Sequence, residues 1–357
     1  MSDSEDSHGL PSVAETDSYG IGIGLDRESF RSAKPGSNKR RSCQITACTR
    51  LFKASRGGSL DYHSAVARAG VRIGPSTPLE FAQWPVDVVQ RLFSDNMPDG
   101  PARRRRYEAL VQQGHTLHTD FSGQGCVEMC LQMAEVAARE AGMTLPSQML
   151  SLHRACDSHP LCQKILKSFK PLHLFCDVAD RVAGGHRDSL RAMRPELTAK
   201  GNPKDHEDAC TKYNKMKGFL AQQGGAIFGP GKVSQGCLMH PGMACLVAAP
   251  VSSSPHVPLR TSVAGTMCTP WTKLGKGTGS GHPANESHHI WTEDAKRSDM
   301  DMVTLENSEF FPFNVWQDHM CPEWMTVHIC VCPSMLGWPC RRMRLYATAI
   351  NLKRMVW

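Results

Sequence analysis

The sequence has no long hydrophobic run. Its longest uninterrupted apolar stretch, Met243 to Ala249, falls far short of the roughly 18 residues that a membrane-spanning helix needs. The first twenty residues hold five acids and no lysine or arginine, so the basic start of a signal or transit peptide is missing as well. These absences argue against a transmembrane, secreted or organelle-imported protein. Cysteine is sparse for a disulfide scaffold: fifteen residues in 357, scattered through apolar segments, read as reduced thiols in a reducing compartment. No internal repeat is visible. Acids are absent from Arg31 to Leu60, where eight bases occur (Arg31, Lys34, Lys39, Arg40, Arg41, Arg50, Lys53 and Arg56).

What is present is chain enough for one large or about two ordinary domains. A net charge of +7, from 41 Lys+Arg against 34 Asp+Glu, is compatible with a polyanionic partner without establishing one. Residues 1–60, rich in Ser, Gly and charge, cannot bury enough apolar surface to offset chain entropy and read as disordered. Their basic block is an electrostatic arm for nucleic acid, a targeting signal, or a solvated tail. Residues 78–94 can form a short helix, and Arg103 to Arg106 read as a solvated basic linker. The composition changes near residue 107. The division expected is therefore a disordered or weakly structured basic region, 1–106, before a folded domain, 107–357.

From 115 onward strand-like and helix-like segments alternate. His115 to Phe121 runs into a glycine turn and then a helix over 127–139, whose apolar residues recur at helical spacing. A strand from Met149 ends at Asp157, a helix covers 160–168, and a strand from His173 ends at Asp177. That order predicts an α/β fold, a Rossmann-like, doubly wound, mostly parallel sheet. Residues 181–258 read as a long Gly- and Pro-punctuated insertion with a helix near 205–222. Alternation then resumes with strands at 259–264, 302–305, 324–330 and 345–350, and helices at 282–296 and 314–319.

Three separated segments carry the chemistry. In Asp120-Phe121-Ser122-Gly123-Gln124-Gly125, glycines at a strand-to-helix turn let backbone approach a ligand, and the helix start offers unpaired amides; an ordinary tight turn uses the same residues. Carboxylates at the next two strand ends, Asp157 and Asp177, suit a ribose and an exocyclic amine. In Gly265-Thr266-Met267-Cys268-Thr269-Pro270-Trp271-Thr272, Cys268 at a strand end has surroundings that can activate a thiol, the alternative being a structural thiol. In Leu305-Glu306-Asn307-Ser308 an acid ends another strand, and Arg342 and Arg344 follow in Pro339-Cys340-Arg341-Arg342-Met343-Arg344.

Taken in order, DFSGQG, Asp157, Asp177, GTMCTPWT, ENS and PCRRMR resemble the cytosine-5 DNA methyltransferases, as a divergent member. The resemblance implies the S-adenosylmethionine-dependent methyltransferase fold, with Phe121, Ser122, Gly123 and Gly125 as the cofactor loop. Asp157 and Asp177 become ribose and adenine contacts of S-adenosyl-L-methionine. Cys268 becomes the nucleophile, Glu306 the acid that grips the base, and Arg342 and Arg344 the pocket arginines. Asn307 and Thr272 match substrate-binding positions, Thr272 beside backbone phosphate. Met267 stands where the family has proline, Thr269 where glutamine follows the cysteine, Cys340 where the arginine motif has glutamine, and Ser308 where the family has valine. The family's target-recognition region, which follows the arginine segment, has no counterpart before Trp357.

The implied reaction is methylation of cytosine C5 in nucleic acid, DNA in preference to RNA, with nuclear residence following from that substrate. The rival from another class is a catalytically degenerate methyltransferase fold that binds nucleic acid or acts as a scaffold. Cys237, His240 and Cys245 supply only three candidate zinc ligands, with His206 and Cys210 upstream, and the expectation is no metal. His282, His288 and His289 read as surface residues or phosphate contacts. Oligomeric state is not readable.

Overall fold

The computed structural model describes residues 77–96, 99–182, 184–198, 203–248, 258–272, 279–333 and 342–355. The expectations for residues 1–60, and the Cys340 position, lie outside them. The strands in chain order are β1 (His115–Asp120), β2 (Leu150–Cys156), β3 (His173–Phe175), β4 (Ser234–Gly236), β5 (Ala244–Leu246), β6 (Leu259–Gly265), β7 (Met302–Ser308), β8 (Trp324–Val331) and β9 (Arg344–Asn351). Seven of them form one sheet in the order β3-β2-β1-β6-β7-β9-β8, while β4 and β5 pair as a separate antiparallel hairpin. Neighbours from β3 across to β7 are parallel, and β9 runs antiparallel to both β7 and β8. The expected Rossmann-like, doubly wound, mostly parallel sheet is present.

The order of the strands positions the site. The chain starts in the middle at β1, winds outward to β3, and returns across the sheet to β6, which lies beside β1. The loops leaving the carboxyl ends of β1 and β6 therefore flank the point where the strand order reverses, the place where open sheets form a ligand crevice. β1 is buried at all but one position, as a strand covered on both faces must be. Its Leu117 is fully buried, and so, on the face that carries the main core, are Ala264 of β6 and Leu305 of β7.

The helices are α1 (Pro78–Leu92), α2 (Gly100–Val111), α3 (Cys126–Glu140), α4 (Pro160–Ser168), α5 (Gly184–Ala192), α6 (His206–Ile227), α7 (Asn285–Arg297) and α8 (Phe313–Met320). The short helix expected over 78–94 forms as α1, and one expectation changes. The structured region reaches back past 107: α1 packs on α3, and Arg103 to Arg106 lie within α2 instead of forming a linker. Arg103 Nη1 donates to the Leu92 carbonyl at 3.3 Å, and Arg104 donates to Glu108 at 3.1 Å and to the Gly142 carbonyl, which staples α2 to its neighbours. A helix anchored by arginines shows no apolar stripe, which is why its pattern did not read as one. In the segment after β3, the helix expected near 205–222 forms as α6, which buries Ala209, Tyr213, Met216, Leu220, Gly224 and Ile227 at helical spacing and joins the main core. Among the described residues, no helix is long and apolar enough to cross a membrane.

Candidate active site

The glycine loop is built by steric necessity. Phe121, Gly123 and Gly125 all have positive φ, at 54°, 56° and 81°. A Cβ at Gly125 would stand 2.4 Å from the Phe169 ring, so that residue must be glycine for the loop to close down on α4's end. At Gly123 nothing lies within 4 Å of where a Cβ would project, so the loop faces open space there. Ser122 is buried, and its hydroxyl donates to Thr119 Oγ1 at 2.9 Å, making it a support for the loop. Asp157, at the end of β2, accepts from the Gly123 amide through Oδ2 and from the His159 amide through Oδ1, both at 2.8 Å. Asp177, after β3, accepts from the Ala179 amide at 2.9 Å and so caps the short helical turn Val178–Arg181. A groove of about 570 Å³ along α4 adjoins this loop through Gln124 and His159.

Beneath the loop lies a buried charge cluster that sequence reasoning missed. Asp120 accepts from Arg154 Nη2 at 2.9 Å and from Arg181 Nη2, while Asp294 on α7 accepts from Arg154 at 3.1 Å and Arg181 at 2.9 Å. All four side chains are at most 1% exposed. Burial alone would push the Asp120 carboxyl up, but the Arg154 and Arg181 guanidiniums outweigh it and hold it below the usual carboxylate range. Two acids and two arginines thus tie together the end of β1, β2, the turn after β3 and α7. The alternation of strand residues gives no sign that Arg154, in a strand, points inward; only its pairing partners reveal it.

On the other side of the crevice three strand ends converge. Gly265 at the end of β6 sits opposite Glu306 of β7, and Ser308 of β7 sits opposite Arg344 of β9. Arg344 Nε pairs with Glu306 Oε1 at 2.8 Å. The other carboxylate oxygen, Oε2, would lie 3.4 Å from a Cβ at Gly265, and the Phe121 carbonyl 3.6 Å from it, so the acid, the cysteine segment and the glycine loop meet at this one glycine. Cys268 is half-buried and flanks a single helical turn, Thr269–Trp271; its carbonyl accepts from the Trp271 and Thr272 amides at 2.9 and 3.1 Å. Asn307 is buried, and its amide donates to the Thr266 carbonyl at 3.2 Å and the Thr266 hydroxyl at 2.9 Å. Its side chain therefore holds the segment leading to Cys268. Thr272 is half-buried at the end of the turn and Arg342 is exposed just ahead of β9.

His288 and His289 are half-buried on α7 with their Nδ1 atoms shielded, and burial pushes His288 down to about 3 and His289 well below its ordinary value. Both therefore stay neutral near pH 7. His282 is half-buried and accepts from the Ala284 amide at 3.1 Å. The described cysteines are all free thiols. Cys237, His240 and Cys245 do converge at the β3 side of the sheet, with His173 as a fourth neighbour that no spacing rule links to them. His206 and Cys210, 3.7 Å apart on α6, are not part of that cluster.

No protein-family model matches the chain, and no curated protein matches it in sequence. Solved structures with a related arrangement include Dnmt2 methyltransferase from S. pombe, at 12% identity and a TM-score of 0.33 over 68% of this chain and 50% of that one. A Spodoptera frugiperda DNMT2 variant matches at 16% identity and 0.33, over 68% and 52%. The Entamoeba histolytica methyltransferase EhMeth matches at 12% and 0.34, over 69% and 56%. The chain thus spans about half the length of these neighbours. Superpositions this loose carry no argument about activity, which has to rest on the residues of this chain.

Proposed function

We propose that the protein transfers a methyl group from S-adenosyl-L-methionine to C5 of cytosine in nucleic acid, through a transient covalent bond to Cys268. The observation that carries the reading is the meeting at Gly265 of the Glu306 carboxylate, the cysteine segment and the Phe121 carbonyl, with Arg344 held on Glu306.

The residues present suit the cofactor. Open space above Gly123, amides at the start of α3, and carboxylates at the ends of adjacent strands β2 and β3 form a one-sided cradle. Each Asp157 oxygen accepts one backbone amide and keeps accepting capacity for a ribose hydroxyl. Phe121, Gly123 and Gly125 shape the cradle, Ser122 supports it, Asp157 would take the ribose and Asp177 the adenine amine. When bound, the cofactor supplies an electrophilic methyl group.

The rest of the chemistry belongs to the side chains. Cys268 Sγ, as thiolate, adds to C6 of cytosine, and the electrons of the C5–C6 double bond move to C5. Glu306 shares a proton with N3, which accepts the charge that develops in the ring. Once C5 carries the methyl group, loss of its proton restores the double bond and expels the thiolate. Arg344, held on Glu306, would orient the acid and contact the base carbonyl, and Arg342 and Thr272 would contact backbone phosphate. Asn307 acts as a positioning residue through Thr266. A stacked base hides C6, so the target is flipped out of a duplex or taken from a single strand. DNA is the preferred polymer, with RNA the alternative, and a DNA substrate would place the protein in the nucleus.

The test is transfer of labelled methyl to duplex DNA, single-stranded DNA and RNA. Wild type is expected to label one of them at C5, and Cys268→Ser and Glu306→Gln to lose at least about 100-fold in rate, the scale of a lost nucleophile or acid–base group. Cofactor binding with no transfer to any polymer would favour the degenerate, scaffold reading instead.

A further inference from the structure

We infer that His173, Cys237, His240 and Cys245 form a structural zinc site that fastens the β4–β5 hairpin to β3. The four ligand atoms lie within 4.8 Å of one another, Cys237 and Cys245 are buried, and both cysteines are free thiols. In a tetrahedral ion with Zn–S of about 2.3 Å and Zn–N of about 2.0–2.1 Å, a sulfur and a nitrogen ligand stand about 3.5 Å apart. The Sγ atoms of Cys237 and Cys245 are each 3.4 Å from His240 Nδ1, and Cys237 Sγ is 3.9 Å from His173 Nδ1. The widest pair has only to close by roughly 1 Å to complete the shell.

Hydrogen bonding alone does not account for this grouping. An imidazole nitrogen either donates one proton or accepts one, yet two thiols converge on the same Nδ1 of His240. A cation at the centre satisfies all the contacts together. Two thiolates and two imidazoles in a tetrahedral arrangement select zinc over the oxygen-seeking divalent ions, and the thiolates neutralise its charge. No position is left for water, so the role is structural.

The local backbone is made for it. Cys237 and His240 bracket a tight turn in which the His240 amide donates to the Cys237 carbonyl at 3.3 Å, and Gly242, at φ 79°, returns the chain toward Cys245. The Leu238 amide donates to the Leu174 carbonyl of β3 at 2.8 Å, so the turn already lies on the sheet edge that carries His173. The same hairpin holds Gln235, whose amide donates to the Asp177 carbonyl at 2.6 Å. The metal would thereby brace the strand end where Asp177 stands.

The full chain, purified without chelator, is analysed for bound metal and, after metal removal, titrated with Zn²⁺ alone and with Co²⁺ as a spectroscopic probe. The expected content is about one zinc per chain, with cobalt giving the intense visible bands of a tetrahedral site and a thiolate-to-cobalt charge-transfer band. Cys245→Ala should lose the metal. His240→Cys should keep it with shifted cobalt bands, since a third sulfur replaces nitrogen, and Cys210→Ala, outside the cluster, should keep it unchanged. Chelation should lower the melting temperature of wild type but not of Cys245→Ala. A folded wild type that takes up no Zn²⁺, a Cys245→Ala variant with undiminished zinc, or a Cys237–Cys245 disulfide in folded metal-free protein overturns the inference. Metal content is read without cofactor or nucleic acid, so its result stands apart from that of methyl transfer.

Discussion

Replacing Asp120 by alanine should be among the most damaging single changes this chain can suffer, although Asp120 touches no ligand. Its carboxylate sits between Arg154 and Arg181 at zero exposure, and among the described residues these arginines share one other acid, Asp294. Removing it leaves two buried guanidiniums against one carboxylate, an uncompensated charge in a site with no water access. Breaking a buried pair in this way costs about 3–5 kcal/mol, against a total stability of about 5–15 kcal/mol for a folded domain. Urea unfolding followed by circular dichroism should therefore show a much lower midpoint at a similar slope. The double variant Asp120→Asn with Arg181→Met removes one charge of each sign and leaves Arg154 on Asp294. It should be less damaged than the sum of its two single changes by about 1–3 kcal/mol. A loss below about 1 kcal/mol in Asp120→Ala, or strict additivity in the cycle, would refute the claim that the cluster acts as one neutral unit.

Gly125→Ala forces a side chain against Phe169 at φ 81° and should cost about 2 kcal/mol or more, with Phe169→Leu in the same chain recovering part of it; equal melting temperatures for wild type and Gly125→Ala would contradict this. Asn307→Ala should slow adduct formation through a loosened Thr266 segment while leaving cofactor affinity, measured by calorimetry, unchanged; a matching loss in both would assign Asn307 another role. Acid should destabilise the protein. His115 is held at about 4 by burial, so it stays neutral when folded while the unfolded chain begins to protonate below about 6.5. Its contribution is complete above that pH and is lost as pH falls toward 4, the loss amounting to about 2 kcal/mol by pH 5, with His288 adding in the same direction. Urea midpoints that do not move between pH 7.5 and about 5 would refute it.

The fold was legible where periodicity is strong and unlegible where polar residues carry the packing. Strand starts and ends around Asp120, Asp157 and Asp177 follow from short apolar runs closed by an acid and a turn, and the structure keeps them. The cluster of Arg154 and Arg181 was not legible, because an inward-facing arginine is indistinguishable in sequence from a solvated one until its acids are located in space. The same holds for α2, a helix carried by arginine contacts, whereas α6 forms where a helix was expected near 205–222. In the candidate site, the motif order singled out Cys268, Glu306 and Arg344, and the sheet register sets the strand ends that carry or precede them side by side. His173 escaped notice because it lies on a strand far along the chain from Cys237, and the sheet edge alone unites them.

The most direct test of the account uses oligonucleotides containing 5-fluorocytosine, in which fluorine at C5 blocks the final proton loss and traps the covalent intermediate. Wild-type protein incubated with S-adenosyl-L-methionine and the DNA or RNA form should give a denaturation-resistant adduct, with Cys268 identified as the attached residue by mass spectrometry and with none formed by Cys268→Ala. Wild-type protein that binds the cofactor yet forms no adduct with either polymer, or an adduct that persists in Cys268→Ala, would contradict the proposed chemistry.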